Sequence, residues 1–218
     1  MIADIVDIVH GVHTAVDDGE WMEELKAYLD LEISNQGRGD EMIVLIHRYN
    51  PFGWGYFTSV GKFLATFLPT MTSERWRRKQ VEAYQKRVAD IRRRYGPGVK
   101  IHVVGHSFAG FKVVHSMTLQ TSQPKTFFGR VVLFGPAFSS RFMPGDAEGH
   151  FEQLHVFYSK NDSVISLSPI GQAGYAGLQW ADDVVMFNHD ATPLDHNDYF
   201  AVPYFEQYKR AAAGILLN

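Results

Sequence analysis

Ser107 lies in the stretch GHSFAG, residues 105–110, directly after the apolar run Ile101–Val104. A serine between a strand and a helix is held on a sharp turn with its hydroxyl exposed, provided that the residues two before and two after it are small. Gly105 and Ala109 meet this requirement. The stretch therefore predicts a nucleophilic serine, although the motif alone is also compatible with an ordinary turn or helix-capping serine.

A serine nucleophile needs a histidine as base and a carboxylate that orients the histidine. On a parallel sheet, both are expected later in the chain, each on a loop after a strand. Asp162, which follows the apolar run Leu154–Tyr158, is the predicted carboxylate, with Asp146 as the alternative. His196 is the predicted base, with His189 as the alternative, because His189 follows an apolar run immediately and has less chain with which to reach the serine.

The reaction of a serine with an ester also needs two N–H groups that face the developing negative charge. Phe108, the residue after the serine, is predicted to supply one of them. Val12 is predicted to supply the other, because Gly11 after the first apolar run lets the backbone turn its amides inward. The end of the second run, residues 47–50, is the alternative for this second donor.

Six short apolar runs, rich in β-branched residues, predict the strands that position these groups. They are Ile5–His10, Met42–His47, Ile101–Val104, Val131–Phe134, Leu154–Tyr158 and Val184–Phe187. Helices are predicted between or after them, at Trp21–Leu29, Ser73–Tyr95, Phe108–Gln120 and Tyr204–Leu217. This alternation predicts an α/β fold with a mainly parallel sheet and helices on both faces. With no repeat or low-complexity linker, residues 1–218 are expected to form one domain.

The composition excludes several kinds of site and partner. The chain has 0 cysteines, which excludes disulfides, a cysteine nucleophile and cysteine-bound metals. The formal net charge of -3 gives no reason to expect a nucleic-acid partner. The first residues are acidic where a secretory signal is basic, and no apolar run approaches the ~18 residues of a membrane span, so a soluble, cytoplasmic protein is expected.

Together, these residues resemble the α/β-hydrolase superfamily, in the lipase- and esterase-like branch that has little or no cap. The matching stretches are IVHGV at 8–12, GHSFAG at 105–110, SKNDSV at 159–164 and HNDYF at 196–200. The resemblance implies a triad of Ser107, Asp162 and His196 that cleaves carboxylic esters through an acyl-enzyme, without cofactor or metal. It also implies a reduced sheet of about six strands, because the chain begins at the family's third strand. Ala109 stands where the family usually has glycine.

The substrate is predicted to be a small ester with a short or medium acyl chain. Residues 51–68 are dense in aromatic and leucine side chains, which is compatible with a flap over an acyl or aromatic-alcohol pocket, or with an ordinary core-covering helix. Phe52 and Trp54 from this segment, together with Gly11 and His106, are the predicted substrate contacts.

Two other functions compete with this one. A metal-dependent hydrolase could use His10 and His13, or the group His189, Asp190, Asp195 and His196, but neither group has a recognised metal-ligand spacing. A binding or scaffold protein could keep the fold without the chemistry. The helix at 73–95 holds nine Lys or Arg against three acidic residues, which favours a solvated face over a binding surface.

Overall fold

The computed structural model describes residues 2–11, 20–48, 73–143, 149–182 and 184–218. Its strands are β1 (Asp4–Val9), β2 (Met42–His47), β3 (Lys100–His106), β4 (Phe128–Phe134), β5 (Phe151–Tyr158) and β6 (Met186–Asp190). Its α-helices are α1 (Glu20–Asn35), α2 (Glu74–Tyr95), α3 (Phe108–Thr118), α4 (Ala173–Ala176) and α5 (Phe205–Leu217). Single 3₁₀ turns lie at Ile165–Leu167 and Asp198–Phe200.

The strands form one six-stranded sheet in the order β2-β1-β3-β4-β5-β6, and every neighbouring pair is parallel. This confirms the predicted reduced α/β-hydrolase fold. From β1 the chain goes first to β2 on one side and then to β3 on the other, so the strand order reverses between β1 and β3. Such a switch point opens a crevice at the carboxyl ends of the two strands, where α/β proteins bind their ligands.

The sheet is covered on both faces, which explains why its strands read as continuous apolar runs. Ile5 and Val9 of β1 pack with residues of α2 and α3, such as Tyr84, in one buried cluster. Val6 and Ile8 point the other way and pack with residues of α1 and α5, such as Leu25.

Strand β6 begins two residues later than the sequence predicts. Val184 and Val185 continue the apolar pattern, but their N–H groups and that of Met186 all donate to Oδ1 of Asp182. This turn leaves Val184 70% exposed and starts the strand at Met186. As a result His189 lies within β6 and not after it.

The basic helix α2 does not expose all of its charged side chains to solvent. Arg87 turns inward and donates through Nε and a terminal nitrogen to the fully buried carboxylate of Asp7 on β1. Arg92 and Arg78 donate to the backbone carbonyls of Phe127 and Gln120. Part of the charge of this helix therefore holds it against the rest of the molecule.

Candidate active site

Ser107 occupies a one-residue turn between β3, which ends at His106, and α3, which begins at Phe108. Its φ of 56° makes it the one non-glycine residue with positive φ in the described part of the chain. A side chain in this backbone conformation is strained, so the surrounding structure must hold it there. The N–H of Ser107 donates to the carbonyl oxygen of Phe134 at 3.0 Å. The carbonyl oxygen of Ser107 accepts from the N–H groups of Gly110 and Ala137 at 3.0 Å each.

The small residues of GHSFAG are explained by what surrounds the turn. A Cβ atom added to Gly105 would lie 3.0 Å from Cβ of Ala109 and 3.0 Å from Leu133, so the site tolerates alanine at 109 because glycine is kept at 105. A Cβ added to Gly110 would lie 2.4 Å from Cβ of Pro136. The turn is therefore packed as the sequence predicts for a sharp strand-to-helix connection.

Asp162 and His196 lie in hydrogen-bond contact on neighbouring loops. Nδ1 of His196 donates to Oδ2 of Asp162 at 2.9 Å, and Oδ1 of Asp162 accepts the N–H of Ile165 at 2.7 Å. Both side chains are buried, Asp162 at 0% exposure. With the proton on Nδ1, Nε2 of His196 is left as the basic nitrogen of the neutral ring.

The two loops that carry this pair are hydrogen-bonded to each other. The acid loop (residues 159–167) and the histidine loop (residues 191–200) meet at Asp195, whose Oδ1 accepts the N–H and the hydroxyl of Ser163 at 2.9 Å each and the N–H of His196 at 2.8 Å. Burial by itself would raise the pKa of Asp195, but these donors outweigh it and hold that pKa below its usual value. Ser159 and Asn161 add side-chain hydrogen bonds to carbonyls of the histidine loop.

Gly135, after β4, makes room for the pair. Its φ is 46°, and a Cβ atom added to it would lie 2.9 Å from Oδ2 of Asp162 and 3.3 Å from Nδ1 of His196. Sequence reasoning did not single out this glycine, although a glycine directly after a buried strand is the available signal.

The alternative base, His189, is placed differently. Its Nε2 lies 3.0 Å from Nδ1 of His155 on β5, and its ring stacks on Phe157 at 4.3 Å. The alternative carboxylate, Asp146, lies outside the described residues. The structure thus brings His196, and not His189, to the predicted carboxylate.

His106, one of the predicted substrate contacts, is only 3% exposed. Its Nε2 donates to the backbone carbonyl of His196 at 2.9 Å, and its ring meets that of Phe200 edge-on at 4.8 Å. The ring therefore supports the histidine loop by holding the backbone of His196 and packing against Phe200. Sequence reasoning missed this contact because it joins residues far apart in the chain.

Gly11 lies at the carboxyl end of β1, directly beside the turn at Ser107. A Cβ atom added to Gly11 would lie 2.7 Å from the carbonyl oxygen of His106, 3.0 Å from Cβ of Ser107 and 3.1 Å from the N atom of Phe108. The chain at Gly11 therefore passes next to the N–H predicted as the first donor. Val12, predicted as the second, lies outside the described residues, as do Phe52 and Trp54.

An apolar cluster adjoins the same turn. The ring of Phe108 lies 5.2 Å from that of Trp76 on α2 and 5.2 Å from that of Phe111. Ile165 and Ile170, from the acid loop and the segment after it, are buried in this cluster. Phe108 and Ile165 are each 1% exposed, so this cluster packs the start of α3 against the acid loop, and the partly buried Trp76 packs against it.

Neither a metal site nor a membrane span is present in the part of the chain that the structure describes. Within those ranges, no three His, Asp or Glu side chains are grouped so as to hold an ion. No described helix combines the length and the apolar character needed to cross a bilayer. His13, one of the residues considered for metal binding, lies outside those ranges.

Solved structures share the fold over almost the whole chain. The esterase Pf2001 of Pyrococcus furiosus aligns with a TM-score of 0.57 at 12% identity, over 99% of this chain and 83% of its own. TT1662 from Thermus thermophilus aligns with a TM-score of 0.58 at 12% identity, over 99% and 88%. A Xanthomonas campestris protein assigned to the alpha/beta superfamily of hydrolases covers 98% of both chains at 15% identity, with a TM-score of 0.47. No protein-family model and no curated protein matches the sequence.

Proposed function

We propose that this chain, which has the α/β-hydrolase fold, is a serine hydrolase that cleaves carboxylic esters through an acyl-enzyme. One observation carries the proposal: a serine strained on the turn after β3 and a buried Asp162–His196 pair on the loops after β5 and β6 belong to one parallel sheet. Strain of this kind persists only when the surrounding structure imposes it, and it is concentrated at functional sites.

The proposed mechanism assigns one role to each member of the triad. Oγ of Ser107 attacks the ester carbonyl carbon while its proton passes to Nε2 of His196. The tetrahedral intermediate then expels the alcohol, which takes that proton, and leaves an acyl group on Ser107. Water then attacks the acyl carbon and gives a proton to His196, and His196 returns that proton to Oγ of Ser107 as the bond to the acyl group breaks and the acid is released.

Asp162 and the backbone supply the stabilisation that this cycle needs. The carboxylate fixes the tautomer of His196 and stabilises the imidazolium that forms after each proton transfer. The N–H of Phe108 and, as proposed, that of Val12 stabilise the negative oxygen of each tetrahedral intermediate. The ring of His106 supports His196 through its carbonyl, so we now assign it to positioning in place of substrate contact.

Covalent labelling tests the nucleophile. A fluorophosphonate should add to the wild-type protein with loss of fluoride, and peptide mass spectrometry should place the adduct on Ser107. The variant Ser107→Ala should show no adduct, whereas Ser116→Ala, which changes a buried serine of α3, should be labelled like the wild type. Adduct formation that survives Ser107→Ala would rule out this nucleophile, and a wild-type protein that is not labelled would favour a non-catalytic protein with the same fold.

The surroundings of the serine predict the class of substrate. Because the buried cluster of Phe108 and Ile165 and the partly exposed Trp76 make the surroundings of the Ser107 turn apolar on this side, an uncharged acyl ester should be bound better than a charged phosphoester. We expect turnover of p-nitrophenyl butyrate to exceed that of p-nitrophenyl phosphate by at least about 100-fold, the size of effect expected when a charge must be desolvated against apolar side chains. Equal or faster cleavage of the phosphate would contradict the assignment.

A further inference from the structure

Lys112 is a buried lysine on α3, one helical turn after Phe108. It is 1% exposed, and its Nζ donates to the backbone carbonyl of His10 at 2.8 Å. Residues four apart lie on the same side of a helix. Lys112 thus joins the helix whose first residue is Phe108 to the end of β1.

The carbonyl that Lys112 holds belongs to the peptide that leads into Gly11. Gly11 is the residue that passes so close to the turn at Ser107 that a Cβ atom there would lie 3.1 Å from the N atom of Phe108. Because the peptide group is planar, fixing the carbonyl of His10 also fixes the direction in which the N–H of Gly11 points. The lysine therefore acts on the orientation of the backbone beside the first proposed oxyanion donor.

Asp7 and Arg87 are charged groups of the described residues that act on Lys112. The buried carboxylate of Asp7 takes its hydrogen bonds from Arg87 and Tyr84, while the Lys112 ammonium is turned to the carbonyl of His10. The pKa of Lys112 is lowered to about 7 by burial, an effect that the charge of Asp7 opposes and the charge of Arg87 adds to. Taking an ammonium out of water is costly, and a residue kept at such a cost is a candidate for a functional role.

We propose that Lys112 is a positioning residue, which sets the His10–Gly11 backbone against the N–H of Phe108 and so shapes the oxyanion hole. This inference rests on the proposed serine-hydrolase function. It assigns no contact between Lys112 and the substrate: the lysine acts through the backbone of β1. A displacement of about 1 Å in a catalytic group can lower the rate by about 100-fold, so the loss of this hydrogen bond should be seen in turnover.

The test compares two buried lysines that undergo the same change. Lys112→Met removes the ammonium and keeps the length of the side chain, and Lys209→Met does the same on α5, where Lys209 is 5% exposed and pairs with Glu24 and Glu206. For each variant we would measure kcat and KM with p-nitrophenyl butyrate, the affinity for phenylboronic acid, and Tm. Phenylboronic acid reports on the oxyanion hole because it binds a serine as a charged tetrahedral adduct.

Lys112→Met should lower kcat by about 10- to 100-fold, with KM within about threefold and a parallel loss of boronate affinity. Lys209→Met should change Tm and leave kcat and boronate affinity near the wild-type values. Lys112→Arg, which keeps a charged donor, should recover part of the lost kcat. If Lys112→Met lowers Tm but not kcat or boronate affinity, Lys112 is a structural residue and the inference is wrong.

A substitute variant and a labelling control make the outcome interpretable. Where Lys112→Met does not fold, Lys112→Gln replaces it, and the same loss is expected because the shorter side chain cannot place a donor at the position of Nζ without moving the backbone. Labelling of the wild-type Ser107 is measured first. A wild-type protein that is not labelled overturns the proposed function and this inference together, whereas normal labelling with unchanged Lys112 variants overturns this inference alone.

Discussion

Replacing His196 with alanine should lower kcat by about 10³-fold or more, as the loss of a triad member does elsewhere, while KM changes little. The imidazole of His196 is the base in the proposed mechanism, and its Nδ1 is already bonded to Asp162 at 2.9 Å. Without it the hydroxyl of Ser107 has no proton acceptor, and Asp162 becomes a buried carboxylate without its ring partner. Steady-state kinetics with p-nitrophenyl butyrate, on protein shown to be folded by circular dichroism, would measure the loss.

His189→Ala is the matched control for this change. His189 is the other histidine of the same region, but it lies in β6, where its ring stacks on Phe157. Its removal should lower Tm and leave kcat within a few-fold of the wild type. The reverse result, a large loss for His189→Ala and a small one for His196→Ala, would show that the roles of the two histidines have been exchanged.

The variant Gly11→Ala should lower kcat by about 100-fold, the effect of disturbing one oxyanion donor. Its methyl group would lie 2.7 Å from the carbonyl oxygen of His106 and 3.0 Å from Cβ of Ser107, and both are parts of a tight backbone turn that cannot move cheaply. The β1 end must therefore shift away from the N–H of Phe108. Because ground-state binding does not use these donors, KM should change much less than kcat.

Gly98→Ala is the control for Gly11→Ala, since a Cβ atom at Gly98 meets nothing within 4 Å. It should leave kcat and KM unchanged. Affinity for phenylboronic acid should fall for Gly11→Ala in proportion to kcat and stay constant for Gly98→Ala. Full activity of a folded Gly11→Ala protein would exclude the β1 end from the oxyanion hole. It would favour residues 47–50 as the source of the second donor, the alternative at the end of β2.

The existence of the strands and their places along the chain could be predicted because a strand buried on both faces must be apolar throughout. The ends of the strands were less predictable. Strand β3 continues through Gly105 and His106, and the buried ring of His106 bonds to the backbone carbonyl of His196, a partner 90 residues later that the local sequence does not reveal. At β6 the apolar pattern begins too early, because Asp182 captures the N–H groups of Val184 and Val185.

Within the candidate site, the residues that depend on chain order were predicted and those that depend on long-range contacts were not. Ser107, Asp162 and His196 each follow a recognisable strand, and the structure places the last two in contact. Lys112 and Asp7 were overlooked, although each leaves a signal: Asp7 interrupts the apolar stretch IVDIV, and Lys112 stands in the apolar stretch GFKVV. A charged residue at a position that must be buried indicates a specific partner, but the pattern does not say which one.

The hydrogen bonds between the acid loop and the histidine loop have a consequence for redesign of the substrate preference. Because Asp195 bonds Ser163 of the acid loop and the N–H of His196, a replacement of either loop alone would remove donors or acceptors that the other requires. Loop exchange with another protein of this fold should therefore transfer both segments together. Substitutions that vary the substrate preference are better placed at Leu167, which is exposed and lies at the end of the acid loop away from these hydrogen bonds.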